Sequence, residues 1–249
     1  MIVPSLKRNK SLNNEQPNQT TLTLTALHFF LESSKQIFIN YFRLPPIIFK
    51  HQLYSLKPND RTTIDFQLQE MFNRNEIRFF HSDYGIMLMM MRDYQMLIER
   101  QLDENQISSL SVQKERLKKR FISQFLPTCI RLSTDRDQLQ KQLEFTDNEI
   151  LLLIQAGLLL NKEIDQYWIS IPNSGSFTKC LKRSRIALKK MLTRRTYREI
   201  PLEEFRVRDT KRSCPLGFDY HVYDLLGANL AHLIDTPTGS VVKIGSEKH

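Results

Sequence analysis

The chain is poor in cysteine, in glycine and in long apolar runs, and each shortage excludes a class of protein. Three widely spaced cysteines among 249 residues predict neither a disulfide framework nor a Cys-x-x-Cys zinc site. Seven glycines include no G-x-G-x-x-G phosphate loop. The longest strongly apolar run, residues 84–91, is less than half of the ~20 residues that a membrane span requires. Since no apolar signal-peptide core is found either, we expect a soluble protein of a reducing intracellular compartment, without membrane attachment.

Positive charge is present, but it is concentrated in one part of the sequence. The formal net charge is +9. The segment from Lys179 to Arg212 holds thirteen basic and four acidic residues, a local net charge of +9, so the rest of the chain sums to zero. A neutral protein with one cationic segment favours a polyanionic partner, either nucleic acid or an anionic membrane surface.

The same order of elements is predicted three times along the chain. In each unit a helix ends at a residue type that tolerates the left-handed conformation, namely Asn75, Gly157 or Asn229, and a hairpin of alternating residues follows. Thr146 and Glu149 have capping-box spacing at the second such helix. Two further predicted helices precede the hairpin-preceding helix of each unit. Three unrelated helix-to-strand transitions are the alternative interpretation. We predict a helix-rich α+β fold of three tandem winged-helix domains, with a flexible tail (1–20), domains 21–103, 104–174 and 175–249, and linkers at 101–110 and 171–176.

One predicted helix, residues 176–195, combines an apolar stripe with cationic flanks. Its apolar residues recur at steps of three and four, which is typical of one buried face. Its basic residues have no acidic neighbour on the same helix, whereas solvated faces usually mix both signs because like charges repel. A solvated face and a membrane-surface helix are the alternatives. We interpret the cationic residues and their continuation as a DNA-binding surface formed by Lys182, Arg183, Arg185, Lys189, Lys190, Arg194, Arg195, Arg198, Arg206 and Arg208.

The helices that would enter the major groove carry few side chains suited to reading bases. Those of the second and third units contain acids and neither Lys nor Arg. Phosphate contacts therefore predominate, and such contacts position a protein without reading sequence. We expect double-stranded DNA binding with little sequence preference and, for about six neutralised phosphates, a log–log salt slope of roughly −5. The acidic helix of the second unit is either a core helix or a surface that docks on other proteins. The first unit offers weak candidates for base contacts: Arg61, Gln67, Gln69 and Arg74.

No active site is evident in the sequence. The stretch "HSDYG", His81–Gly85, superficially resembles the Asp-Phe-Gly magnesium motif of protein kinases. Neither a glycine-rich loop, nor a His-Arg-Asp loop, nor a Val-Ala-Ile-Lys strand accompanies it. Phosphoryl transfer needs a metal-holding acid, a phosphate-binding lysine and a base together. We interpret the stretch as a hairpin turn and expect no catalytic residue, no metal site and no cofactor.

Three blocks, residues 44–78, 145–177 and 216–244, resemble the winged helix repair factor family, historically named serine/threonine-protein kinase 19. The resemblance implies three tandem winged-helix domains, a nuclear location and binding to double-stranded DNA. It also implies a bridging role in transcription-coupled nucleotide excision repair, between stalled RNA polymerase II, Cockayne-syndrome-type repair factors and the general factor that carries the helicases. By position it places DNA contacts at Arg208, with Arg194 and Arg198 beside it. Animal members have basic residues where this chain has Thr193 and Thr196.

The expected function is a non-enzymatic, DNA-binding scaffold for repair at stalled transcription. A serine/threonine protein kinase, as the historical family name states, is one alternative. A protein-binding module whose basic patch meets an acidic partner is another. The sequence leaves open whether RNA competes with DNA and whether the chain forms a homodimer.

Overall fold

The structure, a computed structural model, describes residues 19–56, 58, 60–104, 111–207 and 214–245. Within these residues helices predominate, and three small antiparallel sheets of three strands each accompany them. The prediction of a helix-rich α+β fold is therefore confirmed. Most of the predicted tail lies outside the described residues, and the first helix begins at Gln19.

The first set of elements follows the order helix, strand, helix, helix, hairpin. Its members are α1 (Gln19–Ile37), which continues into a π-helical turn (Phe38–Phe42), β1 (Ile48–Phe49), α2 (Lys50–Leu56), α3 (Arg61–Asn73), β2 (Ile77–Phe80) and β3 (Met87–Met90). The short first strand pairs with the last one, so the sheet order is β1–β3–β2. This is the element order of a winged-helix unit.

A helix that sequence analysis missed, α4 (Met91–Glu104), follows directly on β3. Its inner residues Met91, Tyr94, Leu97 and Ile98 are buried at helical spacing, and this pattern was available in the sequence. The prediction of a linker from residue 101 is wrong to that extent, because the last turn of α4 occupies residues 101–104.

The second and third sets repeat the order of the first. The second consists of α5 (Ser111–Arg120), a π-helical turn (Phe121–Phe125), α6 (Leu126–Thr128), β4 (Ser133–Asp135), a π-helical turn (Gln138–Gln142), α7 (Asp147–Gln155), β5 (Leu159–Glu163) and β6 (Gln166–Ile169). The third consists of α8 (Gly175–Thr193), β7 (Glu199–Pro201), α9 (Leu202–Val207), α10 (Phe218–Gly227), β8 (Ala231–Thr236) and β9 (Gly239–Ile244). Sheet orders β4–β6–β5 and β7–β9–β8 match that of the first sheet.

The helices α3, α7 and α10 end in the same way, as their sequences predict. The residue that closes each has a positive φ: 60° at Asn75, 72° at Gly157 and 56° at Asn229. The N–H of the following residue donates to a carbonyl five residues earlier, at 2.9–3.0 Å in all three. This is the Schellman motif, which satisfies carbonyls at the helix end and turns the chain into the hairpin. The capping box at the start of α7 is also present.

The apolar core does not divide into three separate parts. A large cluster extends from α1 through the second sheet and includes Leu181 of α8 and Tyr220 of α10. A smaller cluster lies under the third sheet and includes Leu188 of α8 and Val222 of α10. Helices α8 and α10 thus belong to both clusters. The boundaries at 103/104 and 174/175 remain a prediction.

Helix α10 packs tightly against α2 of the first set. A Cβ atom at Gly227 would lie 2.0 Å from the carbonyl oxygen of His51, so only glycine fits at this crossing. Nearby, the side-chain amide of Gln52 donates to the carbonyl oxygen of Tyr220 at 2.9 Å. The Tyr220 hydroxyl donates to the carbonyl oxygen of Ile47 at 2.7 Å. These bonds hold the first and third sets of elements together.

Candidate nucleic-acid interface

Helix α8 carries most of the predicted DNA-binding surface, and its sequence sets which face is buried. It contains six Lys or Arg and neither Asp nor Glu. At 100° per residue its buried side chains lie along one stripe. They are Phe177, Leu181, Ser184, Leu188 and Leu192. Burial of each large apolar member contributes about 1.5–3 kcal/mol, which anchors the helix and turns its opposite face outward.

Five of the predicted residues form the exposed cationic face: Lys182, Arg183, Lys190, Arg194 and Arg198. On a helical projection Arg183, Lys190 and Arg194 fall within about 40° of one another, opposite the buried stripe. Among the described residues, no carboxylate forms an ion pair with any of these five. Arg198 follows the helix at φ 55°, and its carbonyl oxygen accepts the N–H of Ile244 at 3.1 Å, which ties this loop to β9.

Arg185 belongs to an internal ion-pair network, and its inclusion in the DNA-binding surface is not supported. Its guanidinium donates twice to the fully buried Asp224 carboxylate, from Nε to Oδ2 and from Nη2 to Oδ1, both at 2.7 Å. His51 Nε2 lies 2.8 Å from Oδ1 of the same carboxylate. Burial alone would raise the pKa of Asp224, but the hydrogen bonds from Arg185 and His51 outweigh it and hold the pKa below its ordinary value. A guanidinium engaged in this way does not contact phosphate.

The remaining predicted residues are less available than the exposed face. Arg195 pairs with Glu204, and Arg206 pairs with Asp219 at 2.9 Å. Lys189 is half-buried beside the apolar stripe. Arg208 lies outside the described residues, so its predicted DNA contact stays a prediction.

None of the hairpin-preceding helices offers a ready surface for reading bases. On α10, Tyr220, His221 and Asp224 are buried against other helices. On α3, Gln67 is buried, and Nη2 of Arg74, the residue after the helix, lies 3.6 Å from Oε1 of Glu70. Its Gln69 amide bonds to Asn73 at 2.9 Å, and the Arg61 guanidinium lies over the Tyr54 ring. In the acidic helix α7, Ile150 and Leu153 are buried, so one face at least serves the core.

The stretch His81–Gly85 forms the turn between β2 and β3, as expected. Gly85 has φ 127° and donates its N–H to the carbonyl oxygen of Ser82 at 3.1 Å. An interaction that sequence analysis did not foresee lies beside it, because the His81 ring stacks on that of Trp168, from β6. No group of three or more His, Cys, Asp or Glu suited to a metal ion occurs in the part of the chain that the structure describes. The described helices include none with both the length and the apolarity needed to cross a bilayer.

Comparison with known proteins decides the family. A family model described as "Inactive serine-threonine protein kinase 19" matches residues 30–244. The chain belongs to this family. Mouse and human proteins named "Winged helix repair factor 1" are each 33% identical to it over 204 residues, which cover 81% of this chain and 77% of theirs. The resemblance inferred from sequence is therefore confirmed.

The family carries two kinds of name, and the structure bears on both. A fission yeast relative named "Serine/threonine-protein kinase mug51" is 32% identical over 110 residues, 42% of this chain and 36% of its own length. The family description itself says inactive. In this member of the winged helix repair factor family, the tripeptide Asp83–Gly85 lies in a hairpin turn. A kinase would need this tripeptide as its metal site.

Proposed function

We propose that this protein is a non-enzymatic nuclear scaffold that binds double-stranded DNA largely without sequence preference. The observation that carries the proposal is the exposed face formed by Lys182, Arg183 and Lys190 on α8 and by Arg194 and Arg198 just after it; two apolar clusters anchor this helix. From Lys182 to Arg194 the helix rises roughly 18 Å. That length spans about five nucleotides of one DNA strand at 3.4 Å each, so successive cations can meet successive phosphates.

The proposal of weak sequence preference follows from what the cationic face lacks. Exposed Lys and Arg side chains that meet phosphate position a protein on a duplex without specifying bases. The helix that would read the major groove in the third unit, α10, is packed on α2 and has no Lys or Arg. Base readout therefore contributes little to the affinity.

The proposed cellular role is in DNA repair. Relatives that this chain matches over most of its length are named winged helix repair factors. The family resemblance narrows the role to transcription-coupled nucleotide excision repair, with RNA polymerase II and repair factors as partners. Because the exposed cationic face lies on the third set of elements, the surfaces of the first two sets are left for such partners.

A titration of duplex DNA across ionic strengths tests the electrostatic part of the proposal. If five phosphates are neutralised, a plot of the logarithm of the binding constant against the logarithm of the salt concentration should have a slope of roughly −4.5. Reversing Arg183 and Arg194 to Glu should lower the affinity by at least tenfold at low salt and flatten the slope by about 2. The measurement is fluorescence anisotropy of a labelled duplex of mixed sequence.

A matched control separates this local effect from net charge. Lys119 and Lys141 are exposed on the second unit, and reversing both to Glu changes the net charge by the same amount. This control should keep most of the affinity and most of the slope. Equal loss in both double variants, or a flat salt response of the original protein, would contradict the proposed surface.

A kinase activity is the second candidate, because one relative is named a kinase. A phosphate-transfer assay with the original protein and with Asp83→Ala decides between a kinase and a non-enzymatic DNA-binding protein. We expect no transfer above background from either protein. Transfer that Asp83→Ala abolishes would support the kinase instead.

A further inference from the structure

A cleft of about 650 Å³ opens where parts of all three units meet. One side is the β2–β3 turn, including His81 and Tyr84, and another is the β5–β6 hairpin with Trp168. The first two turns of α8, as far as Lys182, complete it. A cleft of this volume accommodates a ligand the size of a nucleotide. The exposed cationic face, which we propose binds duplex DNA, shares only Lys182 with this cleft.

Aromatic rings from two different hairpins form one wall of the cleft. The ring centroids of His81 and Trp168 are 4.2 Å apart, with 9° between the planes. The Lys162 ammonium lies 4.7 Å from the centroid of the Trp168 ring. The Arg185 guanidinium lies 5.1 Å from the centroid of the Tyr84 ring. The His81 side chain is exposed at the end of the stack. Aromatic platforms in a basic groove are the surfaces on which unpaired nucleic-acid bases stack.

The rest of the lining is polar and suits the other parts of a nucleotide. Lys179 and Lys182 are exposed and carry positive charge for phosphate. The Asn161 amide can both donate to and accept from a base edge. The Asp83 carboxylate can accept hydrogen bonds from base N–H groups, including the N3–H of thymine. Stacking surface, cations and hydrogen-bonding groups thus converge in one place.

We propose that this cleft binds an unpaired nucleotide of a nucleic-acid strand. Its base stacks on the His81 ring and extends the His81–Trp168 stack, while Lys179 and Lys182 contact the phosphates. The inference rests on the proposed DNA binding and narrows it to DNA whose strands are locally separated beside a duplex. Because Lys182 borders both surfaces, a strand can leave the duplex on α8 and enter the cleft.

The only tryptophan of the chain, Trp168, reports on this cleft directly. Octathymidylate should quench its fluorescence along a saturating curve. A blunt labelled duplex should bind, as measured by anisotropy, without comparable quenching, since its bases are already stacked in pairs. The test uses the full chain at low salt, with nucleotide concentrations matched between the two ligands.

Two histidine variants make the test specific, and both keep the fluorophore. His81→Ala should weaken binding of the strand on the order of tenfold, as expected for the loss of one stacking platform. His232→Ala, which changes an exposed histidine on β8, should leave it unchanged. Neither variant should alter the affinity for the duplex.

The outcomes separate this inference from the proposed function. Duplex binding without quenching by the strand would overturn the cleft assignment alone. Quenching by the strand without duplex binding would uphold the cleft and overturn the duplex-binding proposal. Equal quenching by duplex and strand, tighter quenching by ATP than by the strand, or quenching by an octaglutamate peptide instead of DNA would each overturn the assignment of an unpaired nucleotide in a strand.

Discussion

At the scale of single residues, Asp224 determines which cations of α8 remain available. Its fully buried carboxylate accepts two hydrogen bonds from Arg185, and His51 Nε2 lies 2.8 Å from it, so polar side chains from three helices meet at one point. A buried carboxylate without such partners would be very costly. The Arg185 guanidinium, although it sits between Arg183 and Lys189 in sequence, therefore stabilises the fold instead of facing solvent.

Replacing Asp224 with Asn tests this role. The substitution keeps the shape of the side chain but leaves the half-buried Arg185 guanidinium without its counter-charge. We expect the free energy of unfolding to fall by about 3 kcal/mol in urea denaturation. Asp235→Asn, at an exposed position in the β8–β9 hairpin, should change it by less than about 0.5 kcal/mol. Similar small effects for both variants would contradict the structural role of the network.

His221 predicts a pH dependence of stability. Burial lowers its pKa to about 4, although the nearby Asp224 carboxylate opposes the shift. The unfolded chain takes up this proton below about pH 6.5, and the folded chain does so only near pH 4. The free energy of unfolding should therefore fall by about 3 kcal/mol as the pH drops through this window.

The contribution of His221 can be measured by comparing two variants in urea titrations at several pH values. His221→Gln should flatten the pH dependence between pH 6.5 and 4. His232→Gln, at an exposed position, should leave it as in the original protein. An unchanged slope in His221→Gln would show that other groups cause the acid sensitivity.

At the scale of elements, the crossing of α10 over α2 depends on the absence of a side chain at Gly227. An added methyl group would lie 2.0 Å from the backbone oxygen of His51, so one helix has to move. We expect Gly227→Ala to lower the free energy of unfolding by about 3 kcal/mol. Hydrogen exchange should report weaker protection in both α2 and α10.

Gly175 supplies the matched control for this prediction. It begins α8, and a Cβ atom there would meet nothing within 4 Å among the described residues. Gly175→Ala should leave the protein unchanged or stabilise it by up to about 1 kcal/mol, because alanine favours helix more than glycine does. Comparable destabilisation by both substitutions would argue against the close helix crossing.

At the scale of the whole molecule, the shared core predicts cooperative unfolding. Helices α8 and α10 each place side chains in both apolar clusters, so neither cluster can open without exposing apolar surface in the other. Urea unfolding followed by Trp168 fluorescence, which reports on the second sheet, should coincide with unfolding followed by far-UV circular dichroism. Two separated transitions would instead indicate units that fold independently.

Much of this architecture is encoded locally and could be predicted from the sequence. The ends of α3, α7 and α10 are set by Asn75, Gly157 and Asn229, since each tolerates the left-handed backbone that a Schellman motif requires. The hairpins follow from alternation of apolar residues. The apolar spacing of α4 encodes this helix equally well, but the helix begins directly after the last residue of β3, so the apolar residues of the two elements form one uninterrupted run.

The candidate site likewise has some features that the sequence predicts and others that depend on the folded structure. Residue order alone predicts that one helix carries a buried stripe and a cationic face, because the 3.6-residue period of a helix sorts its side chains onto two sides. The pairing of Arg185 with Asp224, 39 residues away, and the stacking of His81 on Trp168 from another hairpin arise from the packing of the folded chain. Contacts between distant residues depend on how the units dock, and no local pattern in the chain records that packing.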